Sequence, residues 1–392
     1  MQEKRFAVFA YGFRPFFLLA GLYAAGSMAA WIWLFPSGAK PIAALPAPLW
    51  HGHEMVFGFV AAAIAGFLLT AVPSWTGQRG FAGRSLVLLT VLWLVGRVAF
   101  AIGDALPVEL LVVLELLFVP GILVVLTPSI MRSSNRNWPL LVVLFLFWCG
   151  DVVFSYAIDS GRVELASTAL RGSLNLVLVL ITIIGGRIVP AFTGNALRAQ
   201  GAVITMRSSR PLEFVVITST LGYVVADVAA PSGNIAGLAA AAAALAHVLR
   251  LSGWHGLRSW REPIVWILHA AYAWLPVGLA LKAAYVFTGA SWAVHWQHAL
   301  GAGAAATMIM AVMTRASLGH TGRPLRVSRL VVLAYLLLLA SALLRVFGAP
   351  LLQLQYASAV TTAGTLWVLA FLLYSHVYVP ILIRPRADGK PG

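Results

Sequence analysis

The chain has 392 residues, of which 61% are hydrophobic and 10% are charged, and its formal net charge is +15. Because about a quarter of the residues of a soluble globular domain are charged, this composition excludes such a domain and predicts an all-α polytopic membrane protein in a lipid bilayer. The basic residues lie in short loops between apolar runs, which argues against nucleic-acid binding. The single cysteine, Cys149, excludes an intrachain disulfide and cysteine-based metal sites.

Twelve apolar runs are long enough to cross a hydrocarbon layer of about 30 Å as helices. They lie near 13–35, 52–73, 83–102, 106–130, 138–158, 166–190, 211–229, 232–250, 262–287, 292–315, 327–347 and 356–381. No stretch between them is long enough for a separate soluble domain. The sequence therefore predicts one twelve-helix domain over 1–392.

The basic residues indicate which loops face the cytoplasm. One side carries Lys4, Arg5, Arg79, Arg84, Arg132, Arg136, Arg198, Arg207, Arg210, Arg250, Arg258, Arg261, Arg323, Arg329, Arg384 and Lys390. The opposite loops hold little beyond Lys40 and Arg162. By the positive-inside rule, both termini are predicted to be cytoplasmic.

Similar segments follow the second and sixth predicted spans. The segment "VPSWTGQ" (72–78) is echoed by "VPAFTGN" (189–195), 117 residues later, at the same predicted side of the membrane. This recurrence indicates an internal repeat of four helices. The alternative is that Pro, Thr and Gly recur at helix exits because turns favour these residues.

The tenth span extends the same comparison. Aligning its "GHTGR" with the end of the second span, at a displacement of 245 residues, places His298 on His53 and Gly303 on Gly58. The three marked spans run in the same direction, so we expect pseudo-threefold rather than inverted symmetry. The predicted repeats are about 1–130, 131–258 and 259–392.

Four histidines lie at the predicted outer ends of two of these spans. His51 and His53 begin the second span, and His295 and His298 begin the tenth. Imidazole is a common ligand of haem iron and of copper. Since His53 and His298 occupy matched positions in the repeat, we interpret them as an axial pair that holds one haem b from opposite faces. The alternative is that each is an interfacial histidine bonded to water or lipid headgroups.

Four cations lie at the same predicted outer level, and haem propionates in a low dielectric need such partners. They are Arg97, Arg171, Lys282 and Arg345. The alternative is that these side chains extend to the membrane surface or pair with the intramembrane acids Glu115, Asp151 and Asp227.

Three further histidines lie at one predicted inner level: His247, His269 and His376. Three imidazoles at the same depth could bind copper or a second haem. The alternative is that they are core histidines bonded to backbone carbonyls, since the sequence does not show their helices to be neighbours.

Four motifs carry a resemblance to a known family: "YGFRPFFLLAG" (11–21), "LWHGHEMVFGF" (49–59), "GGRIVPAFTGNAL" (185–197) and "HALGAGAAATMIMAVMTRASLGHTGR" (298–323). They resemble the NnrS family, and the resemblance covers nearly the whole chain. It implies a bacterial inner-membrane protein that carries haem and copper. It also implies a role in the response to nitric oxide and nitrosative stress in denitrifying bacteria and pathogens.

A second resemblance is architectural. The core subunit of the haem–copper oxidases also has twelve helices in a pseudo-threefold arrangement, with haem-ligating histidines on helices 2 and 10. Its helices 6 and 7 supply three histidines to copper, whereas the sixth and seventh spans here contain none. An oxidase-type dinuclear centre is therefore not expected. The candidate copper ligands are His51, Glu54 and His295 at the outer level, or the inner histidines.

Two classes of function follow. In the first, a haem-based binder or oxidoreductase of nitric oxide uses Glu54 to supply protons and receives electrons from a donor that the sequence does not identify. In the second, a transporter or metal-delivery protein uses the same polar groups as a path. The absence of inverted symmetry in the sequence argues against the second class.

The predicted sidedness is testable with topology reporters. A reporter fused after Lys390 is expected to read as cytoplasmic, and one inserted in the loop 36–48 as periplasmic, because the basic loops stay inside. Activity measurements of paired alkaline phosphatase and fluorescent protein fusions check this. The opposite pattern would exchange the outer and inner levels to which the histidines and cations are assigned.

Overall fold

The computed structural model describes residues 7–37, 45–206 and 209–390, so the basic residues Lys4, Arg5, Lys40 and Arg207 lie outside it. The described residues form helices joined by turns and loops, with no β-strand among them. Twelve helices are long and apolar enough to cross a membrane, which confirms the predicted number. They are α1 Phe13–Ser37, α2 Ala47–Thr76, α3 Arg84–Ala101, α4 Val108–Arg132, α5 Pro139–Asp159, α6 Val163–Ala199, α7 Arg210–Ala229, α8 Asn234–Ser252, α9 Pro263–Thr288, α10 Ser291–His320, α11 Arg329–Phe347 and α12 Tyr356–Ile383.

The start of α2 lies earlier than predicted. The helix begins at Ala47 rather than near 52. Pro46 precedes the first turn and Pro48 lies within it, and the fixed φ of proline suits a helix start. His51, His53 and Glu54 therefore lie inside the helix, and Glu54 does not cap its first turn.

The end of α6 lies later than predicted. The helix continues to Ala199 rather than ending near 190. Its last turns are amphipathic, with Val189, Thr193 and Leu197 buried and polar residues on the other face. The length of an apolar run does not reveal such an amphipathic helix end. The segment "VPAFTGN" consequently lies within a helix and not after one.

The contacts between helices divide the chain into two compact units. Unit 1 comprises Met1–Ser173, Met313–Leu325 and Phe371–Gly392, and unit 2 comprises Leu174–Val312 and Arg326–Ala370. These boundaries do not coincide with those of the predicted repeats. The threefold repeat stays a prediction.

In unit 1, α2 is the central helix. It packs against α1 and α4, and α4 packs in turn against α3 and α5. The most apolar stretch of α2 is 83% buried, the largest share of the twelve helices. Polar side chains on α2 are therefore withdrawn from both lipid and water.

In unit 2, α7, α8 and α9 pack in chain order, and α9 also packs against α10 and the second part of α6. Small buried residues on α8, among them Ala236, Gly237 and Ala240, allow its neighbours to approach closely, as is usual for membrane helices. α10 also packs against α11.

Among the described residues, three helices contain a π-helical segment: Glu54–Val60 in α2, Ile181–Gly185 in α6 and Ala299–Ala306 in α10. These are the three helices that the sequence comparison marked as equivalent. The segments in α2 and α10 begin 245 residues apart, which is the displacement that aligns the histidines. This agreement favours the repeat. It also draws attention to these helices, because π-helical turns occur frequently at functional sites.

A glycine in two of these segments lies against an aromatic ring of a neighbouring helix. A Cβ on Gly58 would lie 2.5 Å from the ring of Tyr23 in α1, and a Cβ on Gly303 would lie 2.5 Å from the ring of Trp274 in α9. No larger residue fits either position without displacing a ring. The aligned glycines therefore have the same packing role in α2 and α10.

The ends of α2 and α10 are also alike. Gly77 follows α2 and Gly322 follows the last turn of α10, both left-handed with φ of 66° and 68°.

Arg386, in the segment after α12, donates to the backbone carbonyl of His320 (2.9 Å) and to the carboxylate of Asp388 (2.8 Å). The Arg386 guanidinium holds the pKa of Asp388 well below its usual range. The segment after α12 is thereby attached to the end of α10 within unit 1.

Arg14 lies in the first turn of α1, and its contacts generate a prediction about stability. It is fully buried and donates from Nη1 to the carbonyls of Leu382 (2.9 Å) and Arg384 (2.7 Å) at the end of α12. Backbone carbonyls at the end of a helix lack partners within that helix. Arg14→Met is therefore expected to destabilise the protein by roughly 1 to 3 kcal/mol, the cost of leaving buried acceptors unpaired.

The measurement is thermal unfolding of the purified variant in detergent. Arg84→Met, at an exposed arginine of α3, is the matched control. Equal midpoints for the two variants would show that Arg14 does not hold the end of α12.

Candidate functional site

The π-helical segment of α2 begins at a pair of buried polar residues, His53 and Glu54. The wider turn disturbs the regular ladder of backbone bonds, and Trp93 of α3 donates from its ring nitrogen to the carbonyl of Gly58 (3.1 Å). The segment thus fixes α3 against α2. His53 and Glu54 face the groups that α3, α4 and α5 contribute.

His53 is fully buried, and its ring is enclosed on both faces. The rings of Phe100 and Phe154 stack on it with centroid distances of 4.0 and 4.7 Å. Its Nδ1 lies 2.9 Å from Oε1 of Glu54. Its Nε2 lies 3.3 Å from Oδ1 of Asp151 and 3.6 Å from Oε1 of Glu115. Both ring nitrogens therefore face carboxylate oxygens.

Arg97 of α3 supplies the positive charge of this group. Its Nη1 donates to Oε1 of Glu54 (2.7 Å), and its Nη2 donates to Oε1 of Glu115. Arg97 is 7% exposed, Glu54 2%, Glu115 5% and Asp151 3%. We call these residues, together with His53, the buried cluster.

The buried cluster contains a geometric candidate for a metal site. Within the residues that the structure describes, His53, Glu115 and Asp151 are the one group of three or more His, Cys, Asp or Glu whose ligand atoms lie within 4.8 Å of one another. A small cavity beside them is lined by Arg97, Glu115 and Asp151 and by apolar side chains of α2, α3 and α4. Such a site can hold a cation and admit one small ligand.

The other residues predicted at the outer level of unit 1 have separate partners. His51 stacks on Trp31 with ring centroids 4.5 Å apart. Arg171 donates to Oγ1 of Thr168 (3.1 Å) in its own helix. Neither contact connects them to the nitrogens of His53.

In unit 2, His295 and His298 are half-buried, with ring centroids 6.0 Å apart and nearly perpendicular planes. His295 also stacks on Tyr356, whose hydroxyl accepts a hydrogen bond from Arg345 (3.3 Å). His53 belongs to unit 1 and His298 to unit 2. Their pairing on one haem stays a prediction.

The inner histidines have hydrogen-bonding partners other than one another. His247 contacts Oγ1 of Thr220 (3.0 Å) and the hydroxyl of Tyr272 (2.7 Å), and His269 contacts Oγ1 of Thr193 (2.7 Å). His376 is exposed on α12. This pattern agrees with the alternative reading of core histidines for the first two, although their partners are side-chain hydroxyl groups rather than backbone carbonyls.

Two of the predicted outer cations pair with acids of their own unit. Arg97 pairs with Glu54 and Glu115, and Lys282 lies 2.6 Å from Oδ1 of Asp227, whose other oxygen accepts from Asn175 (2.8 Å). For these two residues the alternative stated above, pairing with intramembrane acids, is what the structure shows.

Glu115 and Asp151 were not predicted to belong to a site, although both had been noted as possible partners of the cations. They could have been identified from the energetic cost of placing an acidic side chain inside a membrane. Each is an acid inside a membrane-spanning run of a chain that has only 12 acidic residues, and such residues are usually functional. Sequence alone could not show that both point at His53.

The comparisons with known proteins identify the family of the chain. The chain matches the family model described as NnrS protein over residues 7–386. It therefore belongs to the NnrS family. No curated protein matches it significantly.

The ion pairs of Arg97 generate a prediction. Arg97→Met would leave two buried carboxylates without their cation, and breaking a buried pair in this way costs about 3–5 kcal/mol. Adding Glu115→Gln should recover part of the loss, because it removes one of the uncompensated charges. Thermal unfolding in detergent of the single and double variants measures both effects.

The control is Arg136→Met, at an exposed arginine between α4 and α5. If Arg97→Met were no less stable than this control, the cluster would not depend on its guanidinium.

Proposed function

We propose that this NnrS family protein protects a bacterium against nitric oxide by binding or converting the gas at a metal centre within its membrane helices. Family membership supports the connection with nitric oxide. The observation that carries the metal centre is the group of His53, Glu115 and Asp151, whose ligand atoms lie within 4.8 Å of one another. We place the protein in the inner membrane with both termini in the cytoplasm, from the family and the basic loops.

The enclosure of the cluster supports a resident centre over a transport path. Each member is less than a tenth exposed, and both faces of the imidazole are covered by phenyl rings. A path for a moving substrate would need polar groups that open toward one side of the membrane. We therefore favour nitric oxide chemistry over transport or metal delivery.

Haem b and copper are the cofactors that we propose from the family resemblance. Their candidate ligands are His53 with His298 for haem, and His51, Glu54 and His295, or His247, His269 and His376, for copper. When bound, haem iron or copper supplies coordination of the gas and transfer of single electrons.

The surroundings of His53 do not fit a haem as they stand. An iron at Nε2 would occupy the place of its contacts with Asp151 and Glu115, and the stacked rings of Phe100 and Phe154 leave no room for a macrocycle beside the imidazole. They fit a small cation well. A haem on His53 would therefore require these side chains to move.

Glu54 is positioned to hold and transfer a proton. Its Oε1 lies 2.9 Å from Nδ1 of His53 and accepts from Arg97. Reduction of nitric oxide consumes protons, and a buried carboxyl group beside the reacting site can deliver them. Arg97 keeps this carboxyl group in place through its hydrogen bond to Oε1.

A complementation experiment tests the function and the role of Glu54. A strain that lacks this gene should be sensitive to nitric oxide, and the wild-type gene should restore growth. Glu54→Gln is expected to keep the metal content while losing protection, because an amide accepts a hydrogen bond but carries no acidic proton. Glu164→Gln, at an exposed residue of α6, serves as the control. Full protection by Glu54→Gln at normal expression would exclude Glu54 as the proton carrier.

Absorption spectra test the haem assignment separately. Protein purified in detergent from haem-replete cells should show a Soret band that shifts when nitric oxide is added. If His53 and His298 are the axial pair, His53→Ala and His298→Ala should each remove the haem or convert it to a high-spin form, because one axial ligand is lost. Unchanged spectra in both variants would rule out this pair, and a colourless preparation would rule out haem.

A further inference from the structure

We propose that His53, Glu115 and Asp151 bind one non-haem divalent cation of the first transition row, and that this cation is Fe²⁺. The site itself rests on the geometry of the buried cluster. The choice of iron rests on the proposed function, since the metal would then be the one that binds nitric oxide. In this assignment His53 is a ligand of the non-haem metal and is not available to haem.

The hydrogen bonds of His53 point to a cation at its Nε2. Oε1 of Glu54 accepts from Arg97 and lies 2.9 Å from Nδ1 of His53, so it is an acceptor and Nδ1 carries the proton. The lone pair of Nε2 then faces the oxygens of Asp151 and Glu115, at 3.3 and 3.6 Å. Three electron-rich atoms in this arrangement repel one another unless a positive charge lies between them.

The Glu54–His53 contact is also the usual support of a metal-binding histidine. A histidine ligand almost always donates its second ring nitrogen to a carboxylate or carbonyl, which sets the tautomer and the ring orientation. Glu54 provides this acceptor and is itself held by Arg97. Glu54 and Arg97 are thus positioning residues for the proposed metal.

The spacing of the ligand atoms fits a single metal ion. Two ligands with bonds of about 2.1 Å lie about 3.0 Å apart at a right angle and about 3.4 Å apart at a tetrahedral angle. The separations of 3.3 and 3.6 Å at Nε2 of His53 are close to these values. The ligand oxygens of Glu115 and Asp151 lie within 4.8 Å of each other.

A second and independent observation is an unpartnered oxygen. Oε2 of Glu115 is buried and has no hydrogen-bond partner in the structure, and Glu115 is 5% exposed. Glu115 lines the small cavity together with Asp151. The volume of this cavity is about 10 Å³. This is about the minimum that holds one water molecule. There is thus space for one water-sized ligand beside the proposed metal.

The net charge of the cluster also favours a divalent cation at this position. Glu54, Glu115 and Asp151 bring three negative charges, and Arg97 brings one positive charge, so the ionised cluster carries −2 with a neutral His53. Burying uncompensated charge in a low dielectric costs several kcal/mol per ion. One divalent cation neutralises the cluster, whereas without a metal two protons must do so.

The donor set indicates which class of metal fits. One imidazole and two carboxylates are nitrogen and oxygen donors, which suit Fe²⁺ and Mn²⁺. Cu⁺ prefers the sulfur of cysteine or methionine, and the group of three contains neither. The donor set therefore favours Fe²⁺ or Mn²⁺ over Cu⁺.

The test uses Co²⁺ as a spectroscopic substitute for Fe²⁺. The full-length protein, purified in detergent and stripped with a chelator, is loaded with Co²⁺ and desalted, and the retained metal is measured by elemental analysis and visible absorption. The wild type is expected to retain one equivalent. Glu115→Gln and Asp151→Asn should retain about tenfold less, because each variant loses a charged ligand while keeping its shape.

Each variant has a matched control on its own helix. Glu109→Gln in α4 and Asp159→Asn in α5 change exposed acids and should retain Co²⁺ as the wild type does. Should the two cluster variants fail to fold, a second measurement on the wild type alone applies. Bound Co²⁺ should raise its unfolding temperature, because the ligand binds only the native state.

Retention of Co²⁺ by the cluster variants at the level of the controls would overturn the proposal. So would a wild type that neither retains Co²⁺ nor gains stability from it, and the cluster would then be neutralised by protons. These failures are separate from a failure of the proposed function. A wild type without metal at this site that still protects cells from nitric oxide would remove the site and keep the function.

Discussion

One guanidinium inside the membrane organises unit 1. Arg97 of α3 contacts the carboxylates of Glu54 in α2 and Glu115 in α4, and through His53 the same cluster reaches Asp151 in α5. In a low dielectric these charges cannot be separated without a large cost. The four helices are therefore held together by one group of buried charges as well as by apolar packing.

This constraint explains why the site is on helices and not on loops. The π-helical segment of α2 brings His53 and Glu54 to the same buried environment, and Trp93 bonds the carbonyl of Gly58 that lies within this segment. Phe100 and Phe154 enclose the imidazole. Such support keeps the candidate ligand atoms at defined positions, which the proposed binding of a small ligand such as nitric oxide would require because the ligand offers few contacts of its own.

Much of the fold could be predicted from the sequence, since hydrophobic length determines membrane spans almost directly. All twelve helices were predicted, and the errors fell where polar or proline-containing turns extend a helix beyond its apolar run, as in α6 and α2. The sequence singles out His53, Glu54 and Arg97 as candidate site residues, because polar residues in such runs are costly. Glu115 and Asp151 were not assigned to the site, because their convergence on His53 depends on helix packing, which periodicity does not reveal.

The most direct test of the account is electron paramagnetic resonance of the reduced, anaerobic protein after nitric oxide is added. The account predicts the signal of a spin-3/2 non-haem iron nitrosyl, which is absent from Asp151→Asn and present in the control Asp159→Asn. A spin-1/2 haem nitrosyl signal alone, with equal intensity in both variants, would contradict the claim that the buried cluster holds the iron.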